Sequence, residues 1–512
     1  MRGSSSSCQQ ATKSSTAALP AVQCGYAVES IVAEPQKPQR ACRGISKCDS
    51  SALQKSLARR GGIVMAQETV RLAEYAAALR YEDLPADVVQ RAKDCITDTV
   101  AVIVLGNGLP WGRIVAAYAE RVGAGGQSRI LGRAGPTVQA PAAALANGTL
   151  AHAFESDNLT MPGAGVHPGA TLLPPALAIA QERSSSGQDL ITAVVAGFEV
   201  MYRIGYATKH SNERRGFHAP GTTGPFGAAV AAGVLLQLDA GRMTNAIGIA
   251  GSLAGGLMEF ARSGTGAMVK RLHLGRASES GVMAASLAAA GFTGPESVIE
   301  GEAGFLKVFC TEWDVADLTR GLGSEFMTRR LCLKRFPVHM TAHTPVEAVL
   351  ELQAEEGFAG ADVDRVSVAG TERMATINNL PEPTDIMMAQ YSIPFCVALA
   401  LFRDPRDPLS FDDSALTDVA IRAMCRRVSV IVANPPTKVA GASIVTIQLK
   451  DGRSLTREVE SFSGTPARPL DREELCDKFA TLTRTRYGNA AAGLFERLQK
   501  LEHETDLSWI GA

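Results

Sequence analysis

The sequence has few aromatic residues and no excess of either charge. Aromatic side chains make up 5% of the 512 residues, and 51 Lys and Arg residues balance 52 Asp and Glu residues to a formal net charge of -1. A chain without a strong field does not attract phosphate backbones or anionic membranes, so we expect neither nucleic acid nor a membrane as a partner. Low aromatic content with 49 glycines and recurring alanine runs favours closely packed helices over a β-sandwich or barrel.

Long hydrophobic runs and regularly spaced cysteines are lacking as well. The best apolar runs, 225–236 and 282–290, fall short of the roughly 18 residues that a membrane-spanning helix requires. The ten cysteines contain no C-x-x-C pair, and four of them lie near the start of the chain: Cys8, Cys24, Cys42 and Cys48. This usage indicates a soluble protein in a reducing, cytoplasmic setting.

Changes in composition and in the spacing of apolar residues along the chain predict four segments. Residues 1–64 are rich in Ser and lack apolar periodicity, which is typical of a disordered leader, a processed segment or an overlong start before Met65. Residues 65–330 carry apolar positions at three- and four-residue spacing and predict a large all-helical domain. Residues 331–464 predict a smaller α+β lid domain. Residues 465–512 return to helical spacing, and we expect them to pack on the helical domain and complete it.

The strands of the lid domain follow from alternating apolar residues. Val428, Val430 and Val432 show this alternation, as do the stretches 363–368, 445–449 and 455–459. Asp451-Gly452 between the last two stretches is the strongest hairpin signal in the chain. The predicted fold class is therefore mainly α with a smaller α+β part.

Common catalytic motifs are absent, which leaves histidine as the main chemical signal. There is no G-x-G-x-x-G after a strand, no phosphate-binding G-x-x-x-x-G-K-[ST], no H-E-x-x-H and no G-x-S-x-G. Seven of the eight histidines fall between positions 152 and 343, at His152, His167, His210, His218, His273, His339 and His343. Several stand beside Gly or Pro in loop-like segments, where sites are commonly built.

The segment His152-Ala-Phe-Glu155-Ser-Asp157-Asn158 has two interpretations. If it is helical, His152 and Glu155 share one face at i, i+3 and could form an acid/base cluster with His167. The alternative is a network of caps and salt bridges, in which Asp157 and Asn158 only turn the chain.

Two cationic clusters near these histidines suit an anionic substrate. Lys270 and His273 follow the glycine-rich stretch 263–266, and Lys334 opens the second domain. Paired carboxylates need fixed positive donors, because charge-assisted hydrogen bonds are stronger than neutral ones. We interpret Arg271 and Arg335 as solvated surface charges, and Lys270 and Lys334 as candidate ligands of an anion.

Several motifs in order along the chain resemble one family. HPGATLLPPALAIA, GFHAPGTTGPFGAA, KRLHLGRASESG, GFTGPESVIEGEAGF and KRFPVHMTAH are similar to the MmgE/PrpD family, which includes 2-methylcitrate dehydratase, cis-aconitate decarboxylase and iminodisuccinate epimerase. The resemblance covers about residues 66–505. It implies a helical domain completed by the C-terminal segment, an α+β lid, a homodimer, and action on small polycarboxylates without an organic cofactor. We assign no metal site.

The resemblance also implies site residues. The family's H-x-x-D-F-D-D segment falls on 152–158, and its other motifs place site residues at His167, His218, Lys270 and Lys334. The sequence departs from the family's decarboxylase-like members in two places. Glu155 stands where they have Asp, and Phe395 stands where a tyrosine can occur, which argues against itaconate-type decarboxylation because a possible proton donor is missing. Tyr391 lies four residues before Phe395, and we do not assign it the role of the missing phenol.

We therefore expect a cofactor-independent lyase, with assigned roles for seven residues. The catalytic residues are predicted to be Glu155, His167 and His218, and the substrate-binding residues His152, Lys270, His273 and Lys334. The leading reaction is dehydration of a small di- or tricarboxylate by proton abstraction next to a carboxylate, as in a hydro-lyase. The alternatives are an epimerase or isomerase of a dicarboxylate, a cis-aconitate-type decarboxylase and, from another class, a non-catalytic helical binding protein.

Overall fold

The computed structural model describes residues 67–261, 267–437, 439 and 441–511. The predicted leader, its four cysteines and the glycine-rich stretch 263–266 lie outside the described residues. The chain from Met65 to Ala512 forms one compact unit. The predicted fold class is confirmed, because helices dominate and the larger sheet lies in the C-terminal part.

The α-helices of the described residues, numbered in chain order, begin and end as follows: α1 Glu68–Ala78, α2 Ala86–Asn107, α3 Pro110–Val122, α4 Ala140–Ala151, α5 Pro168–Arg183, α6 Gly187–Ala207, α7 Ser211–Arg214, α8 Ala219–Leu235, α9 Ala240–Ser252, α10 Val269–Ala289, α11 Phe305–Phe309, α12 His343–Glu356, α13 Glu372–Thr376, α14 Ile386–Ala389, α15 Ile393–Phe402, α16 Asp413–Thr417, α17 Val419–Cys425, α18 Arg472–Tyr487 and α19 Ala491–Leu498.

The strands are β1 Ala124–Ser128, β2 Leu159–Thr160, β3 Leu331–Cys332, β4 Val363–Gly370, β5 Val428–Val432, β6 Ser443–Leu449 and β7 Ser454–Val459. β2 and β3 pair antiparallel, and the other sheet has the order β5-β4-β6-β7 with a parallel β4–β5 pair. β6 and β7 form the hairpin that Asp451-Gly452 predicts, with Gly452 at φ +93°. Glycine reaches this left-handed region without the steric cost that a Cβ brings.

The first hydrophobic cluster is built on helices α2, α4, α5, α6, α8 and α10. The C-terminal helices belong to it, since Phe479 of α18 and Phe495 of α19 are buried in this same cluster. α18 packs directly on α2. The segment after 465 therefore contributes side chains to the core that the N-terminal helices form.

Two glycines allow α4 and α10 to approach each other closely. A Cβ at Gly275 of α10 would lie 2.1 Å from Oγ1 of Thr149, and one at Gly148 of α4 would lie 2.7 Å from Oγ of Ser278. Real side chains do not tolerate such distances, so larger residues there would push the helices apart. This close packing brings the first turn of α10 beside the loop that follows α4.

The second hydrophobic cluster contains the larger sheet with α12 and α15 against it. Phe154 belongs to this second cluster although it follows α4, and Leu333 belongs to the first although Phe336 belongs to the second. Two segments of the chain, 151–155 and 333–336, thus pass from one cluster to the other. The boundaries of the predicted domains stay a prediction.

One sequence prediction about apolar runs is wrong. By length and composition α6 is able to cross a membrane, whereas the sequence analysis found no run long enough. In the structure, 94% of its most apolar 18-residue window is buried. The prediction missed it because Glu199 and Arg203 interrupt the run, yet these two side chains pair with each other inside the core at 2.7 Å.

Candidate active site

The loop after α4 carries five polar residues into the interior. α4 ends at Ala151, His152 is its C-cap, and Glu155 adopts φ +54°. The prediction that His152 and Glu155 share a helical face is therefore wrong, because the helix has already ended. A left-handed Glu is uncommon and costs free energy, so the surrounding structure must hold it there.

Glu155 forms ion pairs with two lysines. Its Oε1 accepts a hydrogen bond from Nζ of Lys270, and its Oε2 accepts one from Nζ of Lys334 at 3.0 Å. All three side chains are buried. Burial alone would raise the pKa of Glu155, but the charges of Lys270 and Lys334 hold it well below its ordinary value. The carboxylate is therefore ionised at neutral pH.

The short β2–β3 pair places Lys334 beside this loop. Leu159 pairs with Cys332 and Thr160 with Leu331 in an antiparallel register. Residues before Leu159 therefore run alongside residues after Cys332. This pairing brings Glu155 and Lys334, which are 179 positions apart in sequence, into contact.

Asp157 joins two histidines through one oxygen. Its Oδ2 accepts hydrogen bonds from Nδ1 of His152 and Nδ1 of His167, both at 2.8 Å. Burial would raise the pKa of Asp157, but the two imidazoles hold it well below its ordinary value. An ionised carboxylate can only accept, so both histidines carry their proton on Nδ1 and present Nε2 for proton exchange.

His152 is the more deeply buried of the two. Burial lowers its pKa to about 4 although Asp157 opposes the shift, so it is neutral at pH 7. No described residue forms a hydrogen bond with Nε2 of His152. His167 is one-fifth exposed and precedes Pro168 at the start of α5. A proline suits the first helical turn, which fixes His167 at the helix entrance.

One group in the part of the chain that the structure describes has donor atoms close enough together to hold a metal ion. It consists of His152, Asp157 and His167, whose donor atoms all lie within 4.8 Å of one another. The hydrogen bonds to Asp157 already give both Nδ1 atoms a partner. We therefore interpret the group as a carboxylate that orients two imidazoles, and we assign no metal to it.

His218 and His273 form a second imidazole pair. Their Nδ1 atoms lie 3.0 Å apart, and the rings of His218 and His152 have centroids 6.2 Å apart. His218 is buried and precedes Ala219-Pro220 at the start of α8, while His273 is half-buried one turn after Lys270 on α10. Burial and the charge of Lys270 lower the pKa of His273, and lower that of His218 further.

Asn158 and Lys478 hold the loop from behind. Asn158 donates to Asp98 of α2 at 2.9 Å and accepts from the Gly169 backbone N–H at 2.7 Å. Lys478 of α18 pairs with the same Asp98 and donates to the Ser156 carbonyl at 3.0 Å. The C-terminal segment thus reaches the loop that carries Glu155.

A tyrosine that the sequence analysis set aside lies at the site. The Nζ atom of Lys270 is 4.9 Å from the ring centroid of Tyr391, and this ring stacks on His339 at 4.7 Å. Burial, together with Glu155, raises the pKa of Tyr391 far above its ordinary value, so the phenol keeps its proton. Phe395 instead packs in the second hydrophobic cluster near Phe411.

The interpretation of Arg271 as a surface charge is wrong. Its side chain is buried beside the Trp111 ring, with the guanidinium carbon 6.0 Å from the ring centroid. Arg335 is half-buried and pairs with Glu474 at 2.9 Å. Arg271 adds a third cation to the site, since its charge helps to lower the pKa of Glu155.

The structure brings the seven predicted residues together: His152, Glu155, His167, His218, Lys270, His273 and Lys334. Their assigned roles stay predictions. Asp157, His339 and Tyr391 were not predicted as site residues from the sequence. The i, i+5 spacing of Lys334 and His339 in one motif was a usable signal for His339, whereas nothing local distinguished Asp157 from a turn residue.

Fold and site together define a mainly helical protein with a smaller α+β part and a buried cluster of cations, carboxylates and imidazoles between its two hydrophobic cores. Residues 70–317 match the MmgE/PrpD N-terminal domain, and residues 336–502 match the MmgE/PrpD C-terminal domain. The chain belongs to the MmgE/PrpD family.

Curated relatives match most of the chain. Cis-aconitate decarboxylase from Homo sapiens is 28% identical over 439 residues, covering 82% of this chain and 89% of that protein. Cis-aconitate decarboxylase from Aspergillus terreus is 29% identical over 442 residues, covering 81% and 89%. The protein of the same name from Mus musculus is 26% identical over 449 residues, covering 84% and 90%.

Proposed function

We propose that this protein is a lyase that removes CO2 from a small unsaturated tricarboxylate of the cis-aconitate type. The names of the relatives support this reaction over the dehydration that the sequence analysis placed first. The lyase class and the small carboxylate substrate are common to both reactions.

The paired lysines carry the proposal. An ammonium group has three N–H donors, and Lys270 and Lys334 each spend one on Glu155. Among the described residues no other hydrogen bond uses these donors, so each lysine keeps two for a carboxylate. Glu155 fixes both ammonium groups in a buried place, where charge-assisted hydrogen bonds to an anion are stronger than in water.

This arrangement fits the charge that develops during decarboxylation. The bond between the departing carboxylate and carbon breaks, and its electron pair stays on the carbon that remains. An adjacent carboxylate held by Lys270 and Lys334 accepts part of this charge, which preorganised cations stabilise. A proton must then form the new C–H bond, so one proton is consumed for each CO2 released.

The position of Tyr391 removes one objection to this reaction. Phe395 was counted as the loss of a phenol, but Nζ of Lys270 lies 4.9 Å from the ring centroid of Tyr391. This contact supports Tyr391 as a second phenol near a carboxylate that Lys270 binds.

Dehydration is the second candidate because the site also holds an acid and a base. Asp157 fixes Nε2 of His167 as a base, and Lys270 or Tyr391 could assist a departing hydroxyl. Dehydration consumes no net proton, since the proton taken from carbon leaves as part of water. Proton uptake therefore separates the two reactions.

The test is to incubate the full chain with cis-aconitate, 2-methylcitrate and citrate in weakly buffered solution. We expect CO2 release from cis-aconitate with one proton taken up per turnover, followed by mass spectrometry and a pH indicator while a stream of inert gas removes CO2 before its hydration to bicarbonate returns a proton. In deuterated water the product should gain one deuterium at carbon. Water loss from a hydroxy acid without proton uptake would contradict the proposal and support dehydration.

A further inference from the structure

We propose that His218 and His273 form a proton relay that carries one proton from solvent to the reacting carbon in each turnover. The relay rests on the proposed decarboxylation, because only a reaction with net proton uptake needs such a supply. It also gives His273 a different role from the carboxylate binding that the sequence analysis assigned.

The geometry of the pair suits proton transfer. The two Nδ1 atoms lie 3.0 Å apart, so one ring donates and the other accepts. Each ring has a second nitrogen, Nε2, on its far side. A proton that arrives at Nε2 of one ring can thus be matched by a proton that leaves from Nε2 of the other.

The pair runs from the interior of the site toward its outside. His218 is 6% exposed and has the ring of His152 on one side, whereas His273 is half-buried on α10. The backbone N–H of His218 donates to the Gly256 carbonyl at 3.0 Å. A Cβ on Gly256 would lie 3.1 Å from Nδ1 of His273, so this backbone segment packs tightly against both histidines and keeps them together.

The other imidazoles of the cluster cannot act in this way. Both His152 and His167 direct Nδ1 to the buried carboxylate of Asp157. A proton that entered either ring at Nε2 would stay on that ring as an imidazolium paired with Asp157, because a carboxylate with so low a pKa does not take the Nδ1 proton. The His218–His273 pair is the place in the described site where one imidazole passes a proton to another.

The charges that face the pair favour a neutral resting state. Lys270 acts on both rings, His152 and His167 act on His218, and the Phe260 ring lies 5.1 Å from His218 between centroids. In the resting state His218 carries its proton on Nε2 and His273 carries its proton on Nδ1. Nε2 of His218 then holds a proton that it can give to the reacting carbon, and Nε2 of His273 is free to take one from solvent.

The proton steps balance. Nε2 of His273 takes a proton from water, the Nδ1 proton of His273 moves to Nδ1 of His218, and the Nε2 proton of His218 moves to the carbon that has lost CO2. One proton enters and one C–H bond forms. After the product has left and water has entered the site, Nε2 of His218 takes a proton from water, the Nδ1 proton of His218 returns to Nδ1 of His273, and Nε2 of His273 releases its proton to solvent, which restores both starting tautomers.

The test compares two substitutions of His273 in the full chain. His273→Asn keeps a side-chain group able to hydrogen-bond His218 but cannot relay a proton, and His273→Ala removes the ring and leaves room for added imidazole. We expect kcat to fall about a hundredfold in both, near the lower end of what a positioned acid contributes, with KM unchanged. The matched control is His503→Asn, at an exposed histidine.

Imidazole separates a relay from a structural role. Added imidazole should restore turnover in His273→Ala and have no effect in His273→Asn, and the solvent deuterium effect on kcat should rise in both. Wild-type turnover in either variant, or a loss in His273→Ala that imidazole does not restore, would overturn the relay while leaving decarboxylation in place. A wild-type enzyme that releases no CO2 from cis-aconitate would instead overturn the proposed function, and the relay with it.

Discussion

At the scale of single residues, Glu155 shows how one side chain organises the site. A left-handed turn presents its carboxylate to two lysines from distant segments. Without Glu155 the ammonium groups of Lys270 and Lys334 would repel each other in a buried place, where charges interact strongly. The carboxylate therefore allows two cations to share the small volume in which a substrate carboxylate would bind.

Tyr391 provides a prediction at this scale. Tyr391→Phe keeps the ring over Lys270 but removes the hydroxyl. We expect kcat/KM to fall roughly fivefold, because one hydrogen bond of about 1 kcal/mol to the substrate is lost. Steady-state kinetics measure the change, with Tyr118→Phe as the control at an exposed tyrosine. Unchanged kcat/KM in Tyr391→Phe would show that the phenol takes no part.

His343 predicts how stability depends on pH. Its ring is buried between Phe336 and Phe462, and among the described residues no side chain bonds to either nitrogen. Burial, with Lys334, Lys478 and His339 nearby, holds its pKa well below the ordinary value of 6.5. The unfolded chain therefore takes up a proton below pH 6.5 that the folded chain does not, so stability is complete above that pH and falls with acidification.

Replacing this ring should weaken the acid sensitivity. In His343→Leu we expect the free energy of unfolding to fall less between pH 6.5 and 5.5 than in the wild type, by up to about 1 kcal/mol for this one group. Denaturant titrations at pH 7.5, 6.5 and 5.5 measure the difference, and His503→Leu serves as the control. An equal acid slope in His343→Leu and wild type would mean that His343 is protonated in the folded chain.

At the scale of elements, α18 takes part in the site from the far end of the chain. Lys478 pairs with Asp98 on α2 and donates to the Ser156 carbonyl in the loop of Glu155. Lys478→Met leaves the buried Asp98 without its cation, which should cost roughly 3–5 kcal/mol of stability. It also frees the loop, so activity should fall.

A second substitution separates these two effects. Adding Asp98→Asn to Lys478→Met removes the unpaired charge, and we expect it to restore most of the stability but not the activity, because the contact with Ser156 is still missing. Thermal unfolding and steady-state kinetics of the single and double variants measure both, with Lys500→Met as the exposed control. Full activity in the double variant would show that Lys478 only balances Asp98.

The elements differ in how far the sequence predicted them. Alternating valines and Asp451-Gly452 predicted β4–β7 correctly, since a half-buried strand and its hairpin turn are both local patterns. The helical interpretation of His152 to Glu155 was wrong because Ala151-His152-Ala-Phe contains neither Gly nor Pro to mark the end of α4. Contacts of the loop with α2, α5 and α18 end the helix, and no window of sequence contains them.

At the scale of the whole molecule, the site exists because two hydrophobic cores share segments of the chain. Motif spacing identified Lys270 and Lys334, but it could not show that both hold one carboxylate, which depends on the close packing of α4 with α10 and on the β2–β3 register. The same limit applies to Arg271, whose burial follows from tertiary packing alone. The expected homodimer and cytoplasmic setting stay predictions.

The most direct test of the proposed carboxylate site measures binding by Lys270 and Lys334 in the absence of any reaction. Propane-1,2,3-tricarboxylate is saturated and has no hydroxyl to lose, so calorimetry can follow its binding to the wild type, Lys270→Met, Lys334→Met and the exposed control Lys500→Met. We predict that each buried substitution weakens binding roughly ten- to hundredfold, because hydrogen bonds to a charged group contribute about 1.5–3 kcal/mol, and that the control does not. Equal dissociation constants in folded wild type, Lys270→Met and Lys334→Met would contradict it.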